Sequence, residues 1–126
     1  MTVSDPNLAV AQAMIEAWRA LDWRRVVALF AADGLLQIVP LPAYSGRAAI
    51  KKHLDQIASG IERLDFNVKH LRASGSVVLF ERDDQFTYRG RAATVPVVGV
   101  LEIEGEHVKA WREYMDLATM AKAMSG

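Results

Sequence analysis

Between Val78 and Tyr88 every second residue falls into one series: Val78, Phe80, Arg82, Asp84, Phe86 and Tyr88. Side chains alternate between the two faces of a strand, so a period of two places this set on one side of a sheet. The face is apolar except at its centre, where an arginine and an aspartate stand together. Unpaired charge on a buried face costs several kcal/mol, on the order of what a small domain has to spare. Such a pair therefore needs a tight structural partner, or it belongs to an acid–base site inside an apolar hollow.

The rest of the chain is ordinary enough to make that strand stand out. With 126 residues, the sequence is expected to form one domain over 1–126, large enough for a real core. Fifteen basic residues balance fifteen acidic ones, which leaves no net field to favour nucleic acid or an anionic membrane. No cysteine is present, so disulfides, thiolate metal sites and a cysteine nucleophile are excluded, and a cytoplasmic setting fits. Met1 to Pro6 lacks the pattern of a secretory signal, and no run approaches the ~20 apolar residues of a membrane span. A soluble protein is expected.

Helical periodicity comes first along the chain. Ser4 or Asp5 caps a helix starting near Pro6, with Val10, Ala13, Met14, Ala17, Trp18 and Leu21 on one stripe. Asp22 caps a second, short helix containing Val26, Val27, Leu29 and Phe30, which ends before Asp33-Gly34. A strand over 35–39 and a proline-rich loop to Gly46 lead to a third helix over 47–59, with His53 and Ile57 on its apolar face. Four long strands follow, over about 63–72, 77–89, 92–103 and 107–116, separated by turns at Gly75, Gly90 and Glu104-Gly105-Glu106. A short helix over 117–124 closes the chain. Helices followed by an antiparallel meander predict an α+β fold, a curved and mostly antiparallel sheet wrapped around the N-terminal helices. Such a sheet leaves a cone with an apolar internal pocket. Ala93, Val95, Val97, Gly99, Leu101 and Ile103 form the inward face of the third long strand, with Gly99 available for a bulge or bend.

Parity on the last strand is open. Either Trp111, Glu113 and Met115 point inward, or Ala110, Arg112, Tyr114 and Asp116 do. In the first arrangement Glu113 meets Arg82 and Asp84. Two carboxyls sharing a dry pocket do not ionise equally, so one is suited to donating a proton and the other to accepting one. The planar fork of arginine can hold both.

Several ordered motifs bear a resemblance to one family. Glu81-Arg82-Asp83-Asp84, Gly99-Val100-Leu101 and Trp111-Arg112-Glu113-Tyr114-Met115-Asp116 resemble the ERxD, GV-apolar and WRDYFD segments of limonene-1,2-epoxide hydrolases. Pro40-Leu41-Pro42-Ala43-Tyr44 with Gly46-Arg47 is similar to that family's PLPPAYGR stretch, and His70-Leu71 to its His-Ile. The resemblance implies the cone fold shared with nuclear transport factors, ketosteroid isomerases and polyketide cyclases, commonly as a homodimer and without a cofactor. It makes Asp84 the acid that protonates the epoxide oxygen, Arg82 the bridge, and Glu113 the base that activates water. It also implies that Ile57, Phe86, Val95, Val97 and Met120 line the pocket. Two departures matter. Glutamate stands at 113 where the family has aspartate, and Leu36 and Ile38 stand where it orients the water with tyrosine and asparagine. Gln37, between them, lies on the opposite face.

The expected activity is hydrolysis of a small apolar epoxide to a vicinal diol. The alternatives are an isomerase or cyclase on the same scaffold, and a non-catalytic binder of a terpenoid- or steroid-like molecule. Glu81, Asp83 and Arg112 read as outer-face residues, His70 as a hydrogen-bonded structural histidine, and Trp18, Trp23 and Trp111 as packing residues. The three histidines lack ligand spacing, and no phosphate-binding glycine loop is present.

Overall fold

The computed structural model describes residues 5–125. Helix α1 (Pro6–Arg19) begins at Asp5, whose carboxylate accepts hydrogen bonds from the Asn7 and Leu8 amides. Ser4, the other capping candidate, lies outside the described residues. The stripe that α1 buries is centred on Ala11, Met14, Ile15 and Ala17, one step around from the expected one, and Val10 and Ala13 are only half-buried. Helix α2 (Trp23–Leu29) is capped by Asp22 and stops short of the expected end before Asp33-Gly34. Phe30 is not helical. It opens strand β1 (Phe30–Ile38), which therefore starts five residues before the expected strand. Phe30 is fully buried and pairs with Val108, so tertiary pairing overrides the local apolar spacing that suggested a longer helix.

A two-residue strand, β2 (Tyr44–Ser45), pairs with Leu35 and Leu36 and was not legible in the loop. Helix α3 (Arg47–Ala58) follows, and Arg47 ties it down by donating to the backbone oxygens of Phe30 and Ala28. The long strands are β3 (Ile61–Ser74), β4 (Val77–Tyr88), β5 (Arg91–Glu104) and β6 (His107–Tyr114). Gly75, Gly90 and Gly105 turn the three hairpins, each at positive φ, where a side chain is strained. Asp116 leaves β6 to cap helix α4 (Leu117–Ala123).

The six strands form one sheet in the order β2-β1-β6-β5-β4-β3. All neighbours are antiparallel except β1 and β6, which run parallel and are separated in the chain by β2, α3 and the strands β3 to β5. The α+β class and the curved, unclosed sheet are as expected. Helix α1 crosses the inner face of β3 to β6, while α3 packs on β1 and β2. Phe80, Leu101, Val108 and Trp111 from three strands meet Met14 and Ile15 of α1 in the core. No helix among the described residues is long and apolar enough to cross a membrane.

Two irregularities decide which side chains point inward. In β3 the register shifts between Val68 and His70, so Leu64, Phe66, Leu71 and Ala73 turn toward the core while His70 faces out. The period-two series expected to run from Phe66 to His70 is broken there. In β6 the pairing with β5 shifts between Glu102 and Ile103, so Val108 and Trp111 are both buried although three residues apart. That shift selects the face carrying Trp111 and Glu113. Gly99 is not the bulge. It pairs regularly with Phe80 on one side and Glu113 on the other.

Candidate active site

The alternation on β4 holds through its whole length: Val78, Phe80, Arg82, Asp84, Phe86 and Tyr88 are all buried. Arg82 is 2% exposed and organises its surroundings. Its Nη1 donates to Glu113 Oε2 at 2.7 Å and its Nη2 to Glu113 Oε1 at 2.6 Å, a two-pronged fork on one carboxylate. Its Nε donates to Asp84 Oδ1 at 2.8 Å. The guanidinium also lies 4.5 Å from the Phe80 ring centroid and 5.2 Å from that of Phe66, within cation–π reach. The structure thus brings Arg82, Asp84 and Glu113 together from two strands.

The two carboxyls are held differently. Glu113 accepts three hydrogen bonds, because the Trp111 indole N–H also donates to its Oε1, at 2.5 Å. Among the described residues Asp84 accepts one, at Oδ1, which leaves its other oxygen for the cavity it lines. Burial pushes the Asp84 carboxyl up to about 6, with the Glu113 charge adding to the rise and Arg82 opposing it. Burial works against the charge on Arg82 too, but the two carboxylates outweigh it and hold the guanidinium above its ordinary value.

The polar group stands at the floor of an apolar cavity of about 240 Å³. Leu36, Ile38, Ile57, Phe86 and Met120 line it, together with all three charged residues. Val95 and Val97 do not. They face inward but are 1% and 2% exposed, sunk in the packed core. Ile61, Leu64, Phe66 and Met115 take wall positions that strand-by-strand reading did not assign. Gln37 turns away and donates to the backbone oxygen of Leu41.

Trp111 is the residue whose role sequence reasoning missed. Its place two positions before Glu113 on one strand face was the available signal, since side chains at i and i+2 are neighbours there. Trp18 meets Trp23 edge-on and Trp111 at a tilt, with centroids 5.5 and 5.8 Å apart, and besides this packing Trp18 borders the cavity. On the outer face Glu81 bonds His70 at 2.7 Å, Asp83 lies 3.5 Å from Lys69, and Arg112 pairs with Glu102. Among the described residues no three of His, Asp and Glu cluster as a metal site would require.

A curved sheet closed on one side by helices, with a charged group at the bottom of an apolar hollow, defines a protein of the cone-fold class. The chain belongs to the limonene-1,2-epoxide hydrolase family, whose catalytic-domain model matches residues 5–125. Solved structures of this fold include a limonene-epoxide-hydrolase-like epoxide hydrolase from M. tuberculosis, 22% identical over 95% of this chain and 90% of that one, with a TM-score of 0.81. A SnoaL-like polyketide cyclase from Shewanella putrefaciens is 18% identical over 98% of both chains, with a TM-score of 0.85. A protein with the ketosteroid isomerase-like fold from Catenulispora acidiphila, in complex with trimethylamine, is 21% identical over 92% of both chains, with a TM-score of 0.79.

Proposed function

We propose that the protein, acting as one domain, opens a small apolar epoxide by acid–base catalysis without a cofactor. Asp84 with its free oxygen protonates the epoxide oxygen as the carbon–oxygen bond breaks. A water molecule attacks the epoxide carbon, and Glu113, whose Oε2 has a single partner, takes a proton from it. The product is a vicinal diol. Asp84 has then lost a proton and Glu113 gained one, and exchange with solvent resets the pair. Arg82 keeps the carboxyls apart in position and damps the charge change between them. The observation that carries this reading is the asymmetry of the trio. One carboxyl is fixed by three donors with room left at Oε2, and the other is half-free and pushed up to about 6, close to a working pH for an acid. Incubation with cycloalkene and terpene oxides in oxygen-18 water should yield singly labelled diol. A yield no greater than that of Asp84→Asn would remove the proposal.

A second reading is favoured by one observation: the two β1 side chains beside the base are hydrocarbon. Leu36 and Ile38 line the cavity, and Ile38 pairs directly with Glu113 across β1 and β6. Water is poorly held there, whereas a hydroxyl carried by the substrate arrives already tethered. On a hydroxy-epoxide the same acid and base would give a cyclic ether by internal attack, and the ratio of ether to diol separates the two reactions. We further propose a cytoplasmic homodimer, supported by the cysteine-free chain and by Leu79, Val98 and Tyr114 exposed on the outer face.

A further inference from the structure

His53 borders from α3 the same cavity that Arg82, Asp84 and Glu113 line from β4 and β6. Its ring is held flat against Tyr44, with centroids 4.1 Å apart and planes at 16°, and Tyr44 in turn pairs with Leu36 on the edge of the sheet. The imidazole is therefore fixed in a wall otherwise built from Leu36, Ile38 and Ile57. Among the described residues nothing hydrogen-bonds its ring nitrogens, and burial alone acts on its titration, pulling it below the ordinary histidine value. At neutral pH the ring is uncharged, with one N–H to donate and one bare nitrogen to accept. A hydrocarbon ligand filling the cavity would strip water from those nitrogens and give nothing back, whereas an oxygen placed there would satisfy one of them.

We propose that His53 is a specificity-determining residue that selects substrates bearing a second oxygen function, a hydroxyl or carbonyl, on the skeleton away from the oxygen that meets Asp84. The inference rests on the reading of the cavity as a substrate site, and it does not depend on which epoxide-opening reaction follows. It also gives the internal-attack substrate a place for its hydroxyl before ring closure.

The test uses ligands that cannot react. A saturated monoterpene hydrocarbon, its alcohol and its ketone are titrated against the intact protein, with quenching of Trp18 and Trp111 fluorescence as the readout. The ratio of alcohol to hydrocarbon affinity is expected to fall about fivefold in His53→Phe, which keeps the stacked ring, and to be retained in His53→Gln. In the wild type, the ring-nitrogen resonances of His53 should move with alcohol or ketone and stay in place with hydrocarbon. An unchanged ratio in His53→Phe, or nitrogens indifferent to all three ligands, overturns the assignment of His53 and leaves epoxide opening standing. Failure of every ligand to bind overturns both together.

Discussion

Beneath the fork of Arg82 the sheet has no side chain. A Cβ on Gly99 would sit 2.9 Å from Arg82 Nη1, which is too close, and a tight 3.3 Å from Glu113 Oε2, so glycine is what lets the ion pair lie on the strand surface. Gly99→Ala is expected to lift the fork off the sheet and reduce turnover at least tenfold, with a stability loss of about 1–3 kcal/mol, read from steady-state rates and urea unfolding. Sequence reading singled out this glycine but gave it the wrong reason, because a close approach of side chains from two other strands is invisible in one strand. Asp84 makes the second residue-scale prediction. Its folded value of about 6 lies above the ~3.9 of an unfolded aspartate, so the folded state binds the proton more tightly. The resulting stabilisation is complete below about pH 4 and is lost as pH rises through about 6, on the order of 2–3 kcal/mol. Urea midpoints should fall across that window in the wild type and stay flatter in Asp84→Asn. Turnover should fall over the same rise, since only the protonated form donates. A rate that climbs through pH 6 would contradict Asp84 as the acid.

At the scale of elements, β1 and β6 set the chemistry. Their parallel pairing puts Leu36 beside Trp111 and Ile38 beside Glu113. Polar groups at those two positions would hold a water next to the base. The double substitution Leu36→Tyr with Ile38→Asn is therefore expected to shift product from cyclic ether toward diol on a hydroxy-epoxide, by about tenfold or more. Product ratios by chromatography check this, and an unchanged ratio would show that the β1 wall does not position the nucleophile. Glu113 shows where the sequence ran out. Its alternation with Trp111 and Met115 was legible, but the choice of face was not, because the shift between Glu102 and Ile103 depends on how β5 meets β6. Phe30 is a similar case: its apolar spacing suits a helix, and its pairing with Val108 makes it a strand residue.

For the whole molecule, the outer face of the sheet carries most of the large exposed apolar side chains among the described residues. Val98 pairs with Tyr114 across β5 and β6, and Leu79 lies on the same side of β4, opposite Val100. These side chains are 39%, 43% and 50% exposed respectively. In a homodimer joined through this face, Leu79→Lys with Val98→Lys should yield a monomer with cavity binding retained, measured by light scattering after gel filtration. A wild type that is already monomeric would remove the dimer. The sequence by itself determined the α+β order, the turns, and the burial of Arg82 with Asp84, because alternation, capping and glycine are local properties of the chain. Tertiary structure alone decided that Glu113 turns inward, that Trp111 donates to it, and that Val95 and Val97 are sunk beneath the cavity wall. Those outcomes depend on register between strands and on which side chains meet in the core, and both are set by contacts between segments far apart in the chain.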